Sequence, residues 1–111
     1  MPAGSVHPFM HRASDRVEQE AWLEELQAAA DALGFDASTA SMAADLYLSA
    51  VPEADRSKPA QVAASLYAAS LIDGDGRTQT AVADAVGVSR LVIQSRWKDV
   101  LRSAGFEPPE W

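Results

Sequence analysis

Between Ala60 and Ile72 the chain is apolar almost all the way round a helix. Val62, Ala63, Ala64, Leu66, Tyr67, Ala68, Ala69, Leu71 and Ile72 leave no continuous polar face. Such a helix has no side to turn to water, so it is stable only inside a ring of other elements. Pro59 stands ahead of it, at a first-turn position where a missing N–H costs nothing. The alanines let neighbouring backbones approach closely. The segment therefore predicts the hub of an all-α domain, and the rest of the 111 residues must supply the ring. A chain of this size has room for one core, and with 48% apolar residues it has the material to fill it.

Four further segments are suited to the ring. Ser14 reads as an N-cap followed by acids, which the helix dipole favours there. Trp22, Leu26, Ala29, Ala30 and Leu33 then recur at helical spacing until Gly34 stops the helix. Ser38 is expected to cap a second helix with Met42, Ala43, Leu46 and Ala50 as its inner stripe, ended by Pro52. Residues 52–58 read as a loop, and the hub helix is the third. Thr78 caps a fourth helix with Val82, Ala85 and Val86 facing inward, and Gly87 supplies a left-handed turn. Ser89 caps a fifth, with Ile93, Trp97, Val100 and Leu101 as its stripe and Gly105 as its stop. No segment alternates as a strand would. The helical domain is expected over residues 14–105, with a loose arm at 1–13 and an extended tail at 106–111, whose Phe106 or Trp111 is placed to fold back on the core.

Several kinds of chemistry are excluded or poorly supported. There is no cysteine, which removes disulfides, zinc ribbons and thiol catalysis. No apolar run approaches the ~18 residues of a membrane span, and no secretory signal pattern opens the chain; a cytoplasmic protein without membrane contact is expected. Asp73-Gly74-Asp75-Gly76 reads as a turn, because a calcium loop needs more oxygen ligands and a distal glutamate. His7 and His11 are four apart, but Pro8 lies between them and further metal ligands are missing. Glu20, Glu24 and Glu25 serve solvation better than general acid–base work. No nucleophile–base set and no phosphate-binding glycine loop is present. No cofactor, no metal and no enzymatic activity are expected.

The stretch Thr78–Leu101 has the pattern of a helix-turn-helix. A net charge of −7 argues at first against nucleic acid, but the charge is segregated. Asp15, Glu18, Glu20, Glu24, Glu25, Asp31, Asp36 and Asp45 face Arg16 alone in the front part, whereas Arg90, Arg96, Lys98 and Arg102 face only Asp99 on the fifth helix. Acid-rich chains whose only lysines are of the order of Lys58 and Lys98 also resemble proteins of salt-adapted archaeal cells, where net acidity says little about partners. The outer face of the fifth helix carries Leu91, Gln94, Ser95, Lys98 and Arg102, with Arg90 at its start. Gln94 suits an adenine edge and Leu91 a thymine methyl. Arg90, Lys98 and Arg102 suit phosphates, with Arg77 a further candidate. Solvation alone explains any such face more simply; what favours DNA is the order of motifs along the chain.

Ser57-Lys58-Pro59-Ala60 through Leu66-Tyr67-Ala68-Ala69, then Arg77-Thr78-Gln79, then Val88-Ser89 and finally Arg96-Trp97-Lys98 resemble, in order and spacing, the second cyclin-like repeat of transcription initiation factor IIB and archaeal transcription factor B. The resemblance implies a five-helix cyclin-like box whose helix-turn-helix is formed by helices 4 and 5. It implies a DNA-binding transcription regulator that places helix 5 in the major groove of promoter DNA beside a TATA box. Its base-facing positions fall on Leu91 and Gln94; the family's usual arginine at the second is replaced, which puts the same base preference in doubt. Trp97 replaces a tyrosine and, lying on the apolar stripe, is expected in the core. With one repeat and no ribbon, the chain resembles a stand-alone relative that lacks the usual means of recruiting polymerase or clamping the TATA-binding protein. The alternative is a protein–protein docking module of a transcription complex, with the acidic first helix as its working surface and the TATA-binding protein or another transcription protein as its partner.

Overall fold

The computed structural model describes residues 6–52, 54–73 and 76–106, with side-chain surroundings from Gln19 onward. Five α-helices appear, α1 (Val6–Leu33), α2 (Ala37–Ser49), α3 (Lys58–Ile72), α4 (Gln79–Val86) and α5 (Arg90–Ser103), with no strand among the described residues. The hub is as expected: every residue of α3 from Ala60 to Ser70 is buried, and α1, α2, α4 and α5 all pack against it.

In its first two helices the ring differs from expectation in three places. First, α1 begins at Val6 rather than after Ser14. Pro8 falls in its first turn, where the lost N–H would have had no intrahelical acceptor, so it does not delay the helix. Second, Asp36 rather than Ser38 caps α2: its Oδ1 accepts the Thr39 N–H at 2.9 Å. That bond holds the Asp36 carboxyl below its ordinary pKa. Third, α2 buries Thr39, Ala40, Ala43, Leu46 and Tyr47, leaving Met42 and Ala50 half-buried. Tyr47 is fully enclosed, and seating that ring turns the inner face away from Met42. Thr39 follows it inside because its hydroxyl donates to Asp73 Oδ2 at 2.7 Å, which compensates the buried polar group.

Within the expected loop at 52–58, Asp55–Ser57 form a short 3-10 turn and Lys58 already opens α3. Lys58 is buried, its Nζ 2.9 Å from Asp55 Oδ1. Asp73, the first residue of the expected turn at 73–76, is tied to Thr39 as described; Gly74 and Asp75 lie outside the described residues. So do the His7 and His11 side chains and the tail from residue 107.

The helix-turn-helix follows its local signals closely. Thr78 Oγ1 accepts the Ala81 N–H at 3.0 Å, and Ser89 Oγ accepts the Leu91 N–H at 3.0 Å. Gly87 adopts φ 89°, and the N–H groups of Gly87 and Val88 both close on the Ala83 carbonyl at 2.8 and 3.0 Å. An L-residue at Gly87 would be strained there. On α4, Val82 and Ala83 are the buried pair, while Ala85 and Val86 are only half-buried. On α5 all four expected residues, Ile93, Trp97, Val100 and Leu101, are buried. Trp97 meets Tyr67 of α3 edge-to-face, with centroids 5.5 Å apart at 83°, the arrangement that aromatic quadrupoles favour.

Candidate nucleic-acid interface

Seating one face of α5 on α3 determines what the other face presents. Leu91 is 65% exposed, a large apolar side chain standing alone in solvent. Gln94, Ser95 and Arg102 are also exposed and Lys98 is half-buried, all on the side of α5 opposite its core stripe. The Lys98 Nζ lies over the Trp97 ring, 5.6 Å from its centroid, a cation–π contact that holds the half-buried side chain against α5. The Ser95 hydroxyl donates to the Val92 carbonyl at 3.1 Å and keeps its lone pairs outward. Arg102 forms an ion pair with Asp99 at 2.8 Å; both are well exposed, so the pair is weak and exchangeable.

One participant was not singled out from sequence. Gln79, the first residue of α4, donates from Nε2 to Gln94 Oε1 at 2.7 Å, and its own Oε1 accepts from Arg90 Nη1 at 3.5 Å. Arg90, Gln79 and Gln94 thus form a chain across the mouth of the helix-turn-helix. In the sequence Gln79 stands only as part of the Arg77-Thr78-Gln79 motif, and no local signal says that its amide reaches Gln94, fifteen residues on.

Two arginines are engaged elsewhere. The Arg77 Nε donates to the Leu33 carbonyl at 3.1 Å, and its guanidinium stacks over Phe35 at 5.4 Å. Its backbone N–H reaches Ser70 Oγ at 3.4 Å. Arg77 thereby caps the C-terminal end of α1, where a cation and a donor are both favoured, and stands apart from the residues on α5. Arg96 points sideways: its Nη1 donates to Gln61 Oε1 at 3.4 Å, and Gln61 Nε2 in turn donates to the Ala50 carbonyl at 2.9 Å, bracing α5 to α3 and the end of α2.

The glutamates of α1 are separated from this face. Glu20, Glu24 and Glu25 are exposed on α1, and among the described residues α1 does not pack against α5. Among the described residues no group of three or more His, Asp or Glu side chains is arranged to hold a metal ion, and no helix is long and apolar enough to cross a membrane.

Residues 17–103, which take in most of α1 and all of α2 to α5, match the transcription factor TFIIB repeat. The chain belongs to the TFIIB repeat family. This TFIIB repeat is also similar to curated archaeal proteins. It is 40% identical over 48 residues to transcription initiation factor IIB of Pyrococcus horikoshii, covering 43% of this chain and 16% of that one. It is 29% identical over 82 residues to transcription initiation factor IIB 2 of Thermococcus kodakarensis, covering 71% and 27%. It is 50% identical over 38 residues to transcription initiation factor IIB 1 of Thermoplasma volcanium, covering 34% and 12%. The TFIIB repeat thus spans about a quarter or less of the curated relatives it matches. No solved structure matches it significantly. The motif order from Ser57 to Leu101 located the family correctly, and the matched range carries the likeness back through α2 into α1.

Proposed function

We propose that this TFIIB-like chain binds double-stranded promoter DNA by laying the outer face of α5 in the major groove. The observation that carries this is the exposed Leu91 standing beside Gln94 and three cations on a helix whose opposite face is locked into the core. Leu91 meets a thymine methyl and Gln94 meets a base edge. Arg90, Lys98 and Arg102 neutralise phosphates on either side of the groove. Arg102 exchanges its exposed Asp99 partner for a phosphate at little cost. Arg77 is assigned to the α1 terminus and left out of the phosphate set.

The Gln79 bond gives Gln94 a defined task. With Oε1 held by Gln79, the Gln94 amide cannot spin freely, and its Nε2 points outward as a donor. Oε1 keeps a second lone pair, so a fixed amide can accept from adenine N6 and donate to N7 together. Gln79 is thus a positioning residue. The test compares Gln79→Ala with the parent on duplexes that differ at one base pair. Discrimination for the preferred base should fall by roughly the 1–3 kcal/mol of one bidentate pair, while the slope of affinity against salt stays the same. Equal loss on every sequence, or a changed salt slope, would argue that Gln79 acts on phosphates or on folding instead.

Protein docking is a second function for the same chain, favoured by the exposed Glu20, Glu24 and Glu25 of α1, which take part in no ion pair among the described residues, and by their separation from α5.

A further inference from the structure

A groove of about 700 Å³ runs between α1, α3 and α4. Ala29, Val62 and Val86 line its deeper part, Trp22 stands beside them, and the exposed Glu24, Glu25 and Ala28 line it on the α1 side. The groove exists because alanines at 28, 29 and 85 are too short to fill the space that three converging helices leave. Its size is that of sites that hold an apolar ligand group or a few side chains.

We propose that this groove docks a basic amphipathic helix of a partner protein. An apolar trough beside a helix surface takes apolar anchors spaced along one face of a partner helix. The rim decides the sign of that helix. Glu24 and Glu25 are exposed, no ion pair involves either among the described residues, and no cation lines the groove. An arginine or lysine flanking the anchors would therefore complete both carboxylates, while an acidic or phosphate-bearing partner is repelled. The α5 of a second copy is a poor occupant: it is basic, but Leu91 is the only large apolar residue exposed on that helix. The groove is independent of the DNA face, since it uses no residue of α5. A chain holding DNA on α5 and a basic helix on α1 would bridge the two.

The probe is a synthetic helix with leucines along one face and arginines beside them, titrated into the full chain and followed by NMR. The Trp22 indole N–H and the Ala28 and Ala29 amides should shift, with α5 unmoved. Glu24→Gln with Glu25→Gln should weaken binding about five- to tenfold at low salt and flatten its salt dependence. Ala28→Trp, placed at an exposed position, should abolish binding by filling the trough while leaving the helical circular dichroism spectrum and DNA binding as in the parent. The proposal is overturned if the arginine peptide leaves Trp22 unmoved, if the same peptide with glutamates in place of arginines binds equally well, or if sedimentation shows that self-association of the chain occupies the groove instead.

Discussion

Trp97→Ala should destabilise the domain by about 3–5 kcal/mol, the range for emptying a large aromatic site in a core. Against a total stability of about 5–15 kcal/mol for an ordinary domain, that loss leaves much of the chain unfolded at moderate denaturant. The physical grounds are specific. Trp97 is 2% exposed, it is the largest member of the stripe that seats α5 on α3, and its ring meets Tyr67 edge-to-face. Urea denaturation followed by circular dichroism measures the effect. Leu91→Ala on the opposite face provides the contrast, since a lone exposed side chain should change stability by no more than about 0.5 kcal/mol. A tryptophan that stacked on a nucleic acid base would show the reverse pattern, with stability spared and affinity lost. If Trp97→Ala unfolds at the parent's urea midpoint, the packing of α5 described above is wrong.

The second large effect concerns charge. Substituting Arg90, Lys98 and Arg102 together by alanine should weaken binding to any duplex, by at least about tenfold at low salt, and should reduce the slope of log affinity against log salt by roughly 0.9 for each contact removed. The three side chains are half to fully exposed, so the substitutions open no cavity and stability should stay close to the parent's. Lys98 and Arg102 are proposed to contact phosphate alone, so the loss from these two should be the same on preferred and scrambled sequences. That uniformity separates them from Gln79 and Gln94, whose loss should be felt on the preferred sequence. Fluorescence anisotropy across a salt series reads both quantities. An unchanged slope would mean that the cations of α5 do not meet phosphates.

How far the chain could be read in advance depended on whether a signal was local. The caps at Thr78 and Ser89, the left-handed turn at Gly87 and the α5 stripe need only a few neighbouring residues, and each stands where the sequence put it. The hub was legible for a similar reason, since a helix apolar on all sides can only be buried. Asp36 and Ser38 are both good caps two residues apart, and only the turn after Gly34, which brings the Phe35 N–H to the Ala30 carbonyl at 2.9 Å, favours the first. The inner face of α2 was misjudged because nothing local says that Tyr47 enters the core or that Thr39 finds Asp73. Arg77 was the hardest, since its partner, the Leu33 carbonyl, lies on another helix far back in the chain. A cation near a helix-turn-helix reads as a phosphate contact until its acceptor is seen. The α1 groove was invisible for the opposite reason: Ala29 and Ala85 read as core, and only the convergence of three helices reveals that they leave space.

Segregation of charge reconciles an acidic chain with a DNA-binding reading. The glutamates of α1 stand away from α5, so a duplex approaching Leu91 and Lys98 meets cations first, and the steering that follows is strongest at low salt. The central claim is that α5 is the DNA face, and a titration of the isotope-labelled chain with duplex promoter DNA at low and at high salt, followed by NMR, tests it most directly. The predicted result is that Leu91, Gln94, Ser95 and Lys98 amides shift at low salt and return toward their free positions at high salt, while the Trp97 indole and the α1 amides around Glu24 stay in place. Unmoved α5 amides at low salt, or shifts confined to α1, would contradict it.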